Sequence, residues 1–203
     1  SQEPAAPAAE YVGDALCRSC HSVEASHWDR TAHARAFIAN PRSELERRTC
    51  ESCHGPGGEH VKQPTPATIV SFTRGSTQDP EQMNAMCAQC HRAGELIFWT
   101  GSTHELRGLA CSDCHNPMAQ ASDQSLLRLE NANQTCMSCH PAQRAEFGKR
   151  SHMPLFEGAL TCTDCHQPHG STTRAALIRS RRHERRCSTR TRACTWSSSR
   201  WGC

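Results

Sequence analysis

The sequence predicts a mostly α-helical fold with little regular secondary structure, built from short helices and loops. Three observations predict it. The motif Cys-x-x-Cys-His occurs six times in 203 residues. Apolar residues other than cysteine number about 73 minus 15, or 58 of 203, which is thin for a conventional core at this length. Runs with the alternating pattern of strands are almost absent. The chain must therefore be organised around something other than its own apolar side chains.

The repeated motif indicates what that is. In Cys-x-x-Cys-His the two thiols bond to the vinyl groups of one haem, and the imidazole that follows becomes the proximal ligand of its iron. The sequence thus predicts a multihaem cytochrome c fold that wraps around six covalently bound haem c groups. The attachment residues are Cys17, Cys20, Cys50, Cys53, Cys87, Cys90, Cys111, Cys114, Cys136, Cys139, Cys162 and Cys165. The proximal ligands are His21, His54, His91, His115, His140 and His166.

Two other uses of Cys-x-x-Cys remain open from the spacing alone. Structural zinc sites and disulfide frameworks both use paired cysteines. Neither requires a histidine directly after the second cysteine, yet all six pairs have one. The motifs also consume twelve of the fifteen cysteines, which leaves little thiol for a disulfide framework.

The spacing of the motifs predicts three two-haem modules within a domain at residues 13–177. The modules lie at about residues 13–66, 80–120 and 130–171, and we call them the first, second and third modules. Each contains an attachment motif, a lone histidine, a second motif and a tail residue able to bind a metal. The lone histidines are His33, His104 and His152, and the tail residues are His60, Met118 and His169.

A low-spin haem needs a second axial ligand, and these recurring residues are the candidates. We expect distal roles for His33, His60, His104, His152 and His169. Five candidate histidines for six haems leave one haem without a distal ligand. Met118 is a possible thioether ligand, which would raise the potential of its haem relative to bis-His ligation. The alternatives are a vacant position or a ligand from elsewhere. His27 and His183 have no counterparts in other modules and are interpreted as surface residues.

Local signals predict the helix starts. Asp79 followed by Pro80 is typical of a helix N-terminus, and Pro141 predicts a second helix directly after His140. Residues 55–60, with the sequence GPGGEH, are expected to form a loop.

No run approaches the roughly 20 apolar residues of a membrane span. Residues 1–12 are expected to be a flexible segment without the features of a signal peptide, as in a processed protein.

Taken in order, the motifs resemble the N-terminal part of the periplasmic decahaem cytochromes of the DmsE/MtrA type. The resemblance covers residues 11–177 and implies bis-His electron carriers that run from the periplasm into the outer membrane. It also implies redox partner proteins, namely an inner-membrane quinol dehydrogenase, an outer-membrane porin and a surface cytochrome. The segments that carry it are YVGDALCRSCH, TAHARAF, TCESCHGPGGEHV, MCAQCH, GSTHELRGLACSDCH and TCTDCHQPHG.

The C-terminal segment, residues 178–203, departs from this family. From residue 174 onward the chain has nine Arg and a single acid, Glu184, so this segment carries a net charge of +8. Because the whole chain has a net charge of +3, the remainder carries −5. Cys187, Cys194 and Cys203 stand at spacings that attach no haem. Three interpretations stay open: an out-of-frame segment, a disordered basic tail, or the end of a natural hexahaem protein. Nucleic acid is not expected as a partner.

The predicted function is electron transfer without chemical transformation, by a carrier that is not an enzyme, within an outer-membrane conduit for extracellular electron transfer. One alternative is a multihaem reductase with an open haem, of the nitrite, hydroxylamine or tetrathionate type. Such enzymes often use a Lys ligand or a cross-linked Tyr, and the chain has only Lys62, Lys149 and Tyr11. A second alternative is a subunit of a conducting cytochrome filament. The direction of electron flow and the haem order cannot be read from spacing.

Overall fold

The structure, a computed structural model, describes residues 10–73, 77–122, 124–173 and 176–178. The predicted flexible start falls largely outside these residues, and so does the arginine-rich tail with Cys187, Cys194 and Cys203. Within the described ranges the chain is helical, and its β pairing is limited to isolated bridges. The predicted mostly α fold of a multihaem cytochrome is confirmed.

The helices are short, and none of the eleven α-helices in the described ranges exceeds nine residues. They are α1 Asp14–Cys20, α2 Ser22–Trp28, α3 Ala32–Ala34, α4 Glu44–Arg47, α5 Glu51–His54, α6 Gly58–Lys62, α7 Pro80–Ala88, α8 Thr103–Leu106, α9 Cys111–Cys114, α10 Ala132–Met137 and α11 Pro141–Phe147. A π-helical turn follows α3 at Arg35–Ala39, and 3-10 turns lie at Pro66–Thr68, Gly94–Phe98 and Cys162–Asp164. Attachment motifs thus occupy helices or their ends, joined by irregular chain.

Both helix starts predicted from proline are confirmed. The Asp79 carboxylate accepts a hydrogen bond from the Glu81 N–H at 2.9 Å and so caps α7, whose first residue is Pro80. Helix α11 begins at Pro141. Proline suits this position because its missing N–H would have no partner within the helix.

The prediction that residues 55–60 form a loop is wrong for their second half, because α6 begins at Gly58. Its first N–H groups find acceptors in distant parts of the chain. The Gly57 N–H donates to the Glu51 carboxylate at 2.8 Å, and the Gly58 N–H donates to the Glu10 carbonyl at 3.0 Å. Local propensity treats glycine as unfavourable in helices, but it does not include such tertiary acceptors.

The same two glycines let the start of the chain pack against the first module. A Cβ atom on Gly58 would lie 2.7 Å from the Glu10 Cβ, and one on Gly57 would lie 2.9 Å from the Val12 Cγ2. Glu51, which is 3% exposed, also accepts hydrogen bonds from the N–H groups of Val12 and Gly13, each at 3.0 Å. One buried carboxylate therefore holds three backbone donors.

The apolar core is small. Among the described residues the buried apolar side chains are Trp28, Ala34, Met83, Ala110, Met137 and Leu155. Several large apolar side chains lie on the surface of the polypeptide, and Leu106, Ile97 and Val23 are 75%, 69% and 62% exposed. Burial of so few side chains stabilises a chain of this length poorly. The fold therefore suits a chain that packs against large apolar cofactors.

The sequence contains no apolar run of the length expected for a membrane span. Across residues 10–178, apart from the few that the structure does not describe, no helix combines the length and apolar character needed to cross a membrane.

Candidate haem sites

In the second and third modules, an asparagine three residues before the first cysteine joins the two attachment motifs. Asn84 accepts from the Cys111 N–H at 2.7 Å and donates to the Leu109 carbonyl at 3.2 Å. Asn133 repeats this pattern one module later. It accepts from the Cys162 N–H at 2.8 Å and donates to the carbonyls of Leu160 at 2.8 Å and Leu155 at 3.0 Å.

The first module has Asp14 at the same place, three residues before Cys17. Its Oδ1 accepts from the Thr49 hydroxyl at 3.1 Å and from the Cys50 thiol at 3.0 Å. Sequence reasoning missed this set of three residues. The available signal was a short polar side chain at the third position before the first motif of every module.

Within each module, the first cysteines of the two motifs lie beside each other. Cys17 and Cys50 lie near each other, since Asp14, three residues before Cys17, accepts a hydrogen bond from the Cys50 thiol. Cys87 likewise lies near Cys111, and Cys136 lies near Cys162. The two attachment motifs of a module are therefore neighbours in space.

Between modules, the second cysteines approach each other. Cys53 of the first module is within electrostatic range of Cys90, and Cys114 of the second module is within range of Cys139. Attachment motifs that follow one another in sequence therefore also lie near one another in space, from the first motif to the sixth.

Four predicted distal histidines face a proximal histidine. The ring centroids of His21 and His60 are 6.2 Å apart, and those of His115 and His169 are 5.9 Å apart, both pairs nearly parallel. His33 faces His91 at 6.0 Å, and His104 faces His140 at 6.3 Å. Each pair joins residues that are remote in sequence.

These separations fit a metal held between two imidazoles. With metal–nitrogen bonds of about 2 Å on opposite sides of one ion, two ring centroids lie roughly 6 Å apart. All four pairs meet this test without any direct hydrogen bond between the rings. The donor set also fits, since neutral imidazoles on both faces are one ligand set of low-spin haem iron.

The Nδ1 atoms, which point away from such a metal, fall into two groups. His60 Nδ1 bonds to the Thr65 carbonyl at 3.1 Å, and His104 Nδ1 bonds to the Pro168 carbonyl at 2.8 Å. Hydrogen bonds of this kind fix the orientation and tautomer of a ligating imidazole. In the part of the chain that the structure describes, the Nδ1 atoms of His33 and His169 are buried without a partner.

Two proximal histidines are held by a returning loop. His54 Nδ1 bonds to the Val70 carbonyl at 2.8 Å, and His115 Nδ1 bonds to the Ser125 carbonyl at 2.7 Å. The ring next to His54 is the phenyl of Phe72, with centroids 5.4 Å apart and nearly perpendicular.

The remaining predicted ligands are not brought opposite a proximal ring in this way. His152 bonds through Nδ1 to the Lys149 carbonyl and through Nε2 to the Glu157 carboxylate, at 2.9 Å for the latter. Met118 lies in the turn after α9, where its N–H donates to the Asn116 side chain at 3.1 Å. His27 lies on the exposed face of α2, and His183 lies outside the described residues.

Burial keeps the site residues neutral. It raises the pKa of Cys50 to about 12 and that of Cys136 to about 12, so both are thiols at neutral pH. It lowers the pKa of the imidazoles of His33, His54 and His169. A neutral imidazole is the form that binds a metal.

The zinc and disulfide interpretations find no support in this geometry. No disulfide joins any two of the twelve motif cysteines. Across the described ranges, no three His, Cys, Asp or Glu side chains converge in the manner of a metal-ion site. A structural zinc site would need four such ligands.

Comparison with known families agrees with the motifs. A family model described as "Cytochrome c-type protein NrfB-like" matches residues 50–127, and one described as "Cytochrome c3" matches residues 103–188. A chain with this helical fold, these attachment motifs and these matches belongs to the multihaem c-type cytochromes, which carry covalently bound haem c.

Within that class the chain is MtrA-like. It is 34% identical to the multiheme cytochrome MtrA of Shewanella baltica (strain OS185) over 161 residues, which are 79% of this chain and 47% of that protein. It thus spans about half the length of that relative. It is also 25% identical over 123 residues, 55% of this chain and 13% of the other, to a Kuenenia stuttgartiensis protein named "Probable nitrite reductase-hydroxylamine oxidoreductase fusion protein".

Proposed function

We propose that this protein carries electrons along six haems arranged in the order of their attachment motifs. The observation that supports this most directly is that consecutive attachment motifs lie near one another. Hydrogen bonds of Asp14, Asn84 and Asn133 join the two motifs within each module. Between the first two modules, helix α5, which carries Cys53, packs against α7, which carries Cys87. When bound, haem supplies reversible one-electron chemistry at its iron. The polypeptide contributes fixed attachment points that keep neighbouring sites adjacent.

The four facing histidine pairs are the proposed axial ligand sets. They are His21 with His60, His91 with His33, His115 with His169, and His140 with His104. At these four sites, imidazole on both faces would leave no coordination position for a substrate. This arrangement favours a carrier over an enzyme.

The location and partners follow from the MtrA-like relationship and belong to the proposal. We place the protein in the periplasm, where covalent haem attachment occurs in bacteria with two membranes. Its proposed partners are an inner-membrane quinol dehydrogenase as electron donor, with an outer-membrane porin and a surface cytochrome on the acceptor side. Together they would form a conduit for extracellular electron transfer.

Intact mass and spectroscopy of the holoprotein from a host with cytochrome c maturation test the proposal. We expect the polypeptide mass plus six haems, and a ferric spectrum dominated by low-spin haem. The variant H33A should convert one low-spin haem to high-spin, whereas H27A should not. A protein with fewer haems, or with H33A indistinguishable from the parent, would contradict the assignment.

The Kuenenia relative makes reductase activity the competing function. Rates of nitrite and hydroxylamine reduction by the dithionite-reduced protein distinguish the two. We expect reoxidation by soluble ferric chelates and no turnover of nitrite or hydroxylamine. Sustained turnover of either nitrogen compound would replace the carrier proposal with an enzymatic one.

A further inference from the structure

We propose that the thioether sulfur of Met118 is the sixth ligand of the haem attached at Cys50 and Cys53, opposite His54. The inference rests on the proposed function in one respect, that a haem is attached at this motif. It makes this haem chemically different from the four with facing histidines.

The first step is that Met118 and His169 occupy equivalent positions. The Asn116 N–H donates to the Leu126 carbonyl at 2.6 Å, and the Gln167 N–H donates to the Ala176 carbonyl at 2.7 Å. The tail residue then folds back in the same way. The N–H of Met118 donates to the Asn116 side chain at 3.1 Å, and that of His169 donates to the Gln167 side chain at 3.3 Å.

The chain around these two turns repeats as well. His115 forms an isolated antiparallel bridge with Leu127, and His166 forms the same bridge with Leu177. The Arg128 N–H donates to the Cys114 carbonyl at 2.9 Å, and the Ile178 N–H donates to the Cys165 carbonyl at 2.8 Å. Met118 therefore holds the place in the second module that His169 holds in the third.

The second step is the relation between modules. His169 reaches back one module, to the second haem site of the second module, where its ring faces His115. The first and second modules are related in the same way as the second and third. His33 faces His91 as His104 faces His140, and Cys53 approaches Cys90 as Cys114 approaches Cys139. The module before that of Met118 is the first module, and its second haem site is the one with His54. Met118 should therefore reach the His54 site as His169 reaches the His115 site.

The third step is the surroundings of His54. The 5.4 Å between the ring centroids of His54 and Phe72 is shorter than any facing histidine pair, too short for a porphyrin between the rings. Phe72 therefore packs on the proximal side, together with the Val70 carbonyl that bonds His54 Nδ1. Of the described histidines outside the motifs, four face other proximal rings, His152 bonds to Glu157, and His27 lies on the exposed face of α2.

The consequence is electronic. Met/His ligation raises the potential of a haem relative to bis-His ligation. The haem at Cys50 and Cys53 should be the first to be reduced, which would place an electron-holding site in the first module.

The test compares the variants M118H and M118L with M153L, which changes an exposed methionine that is 42% accessible. The parent holoprotein should show the long-wavelength absorption of methionine-ligated ferric haem from one haem in six. M118H should abolish that band, add no high-spin haem, and lower the highest midpoint in a redox titration for one haem in six. Relative to the parent, M118L should gain one high-spin haem and bind about one more carbon monoxide per chain, and M153L should match the parent.

Three outcomes would overturn the proposal. One is a parent protein with six haems and no methionine-ligated signal. Another is an M118H titration that superimposes on that of the parent. The third is carbon monoxide binding by M118L that does not exceed that of the parent. A protein whose mass lacks the haem at Cys50 and Cys53 would instead contradict the six-haem carrier itself, so the two failures are distinguishable.

Discussion

The second and third modules are near copies of each other, whereas the first module reaches a similar arrangement with different chemistry. Asn84 and Asn133 join two motifs through neutral amide hydrogen bonds to backbone groups. Asp14 does so through a carboxylate that bonds to side chains of the second motif. The comparison shows that this position joins two attachment motifs in every module, through an amide in two of them and a carboxylate in the other.

The first module also has a feature that the others lack. Glu51 lies inside its second motif and binds the N–H groups of Val12, Gly13 and Gly57. In the later modules the corresponding motifs carry Asp113 and Asp164, which accept from the N–H of the residue before their own first cysteine, Ala110 and Thr161. An acid in the motif thus serves long-range tethering in one module and local capping in the other two.

The sharpest way to break the comparison is Glu51→Ala, which should affect the first module alone. Three backbone N–H groups would lose their acceptor, and we expect a loss of about 3–5 kcal/mol in the free energy of unfolding. Chemical unfolding of the holoprotein, followed by circular dichroism, measures it. Glu59→Ala, which removes an exposed carboxylate from the neighbouring helix, is the matched control. An equal effect of both variants would contradict the role given to Glu51.

A second variant tests a difference between the second and third modules. Gly170 of the third module has φ of +102°, and a Cβ there would lie 2.2 Å from the Phe98 carbonyl oxygen. Gly170→Ala should cost about 3 kcal/mol and disturb the low-spin spectrum of the haem that His169 faces. The second module has Ala119 at the same place, so Ala119→Gly should be nearly neutral. An unaltered spectrum and stability in Gly170→Ala would show that the close approach is not needed.

The asparagine positions test how similar the two copies are. Asn133→Ala removes three hydrogen bonds and Asn84→Ala removes two. We expect losses of about 3 and about 2 kcal/mol, since backbone groups near buried side chains would be left unpaired. The measurement is the same unfolding experiment. A larger loss for Asn84→Ala than for Asn133→Ala would mean that the extra hydrogen bond from Asn133 to the Leu155 carbonyl adds nothing to the stability.

The smallest effect is expected for Asp14→Asn, which gives the first module the amide of the other two. Asn keeps an oxygen able to accept from Thr49, so only the ion pair of Asp14 with Arg18 is lost, and exposed pairs contribute about 0.5 kcal/mol. A loss comparable to that of Asn84→Ala would show that the carboxylate charge itself is required in the first module.

The sequence was sufficient for features that depend on local order. Attachment motifs are contiguous, and the helix starts at Asp79 and Pro141 follow from the fixed geometry of proline and its neighbours. Helix α6 was missed because its first N–H groups are satisfied by Glu10 and Glu51, which propensity does not include. The pairing of His33 with His91, and of His169 with His115, was equally out of reach, since spacing shows that histidines recur but not which module they face.

The order of the attachment motifs in space sets how such a protein can change in length. Each module joins its own two motifs by hydrogen bonds and places its second motif near the first motif of the next module. Duplication of a single module would therefore extend the series by two sites without altering any existing junction. A longer series of haem sites would then require additional modules and no change within the existing ones.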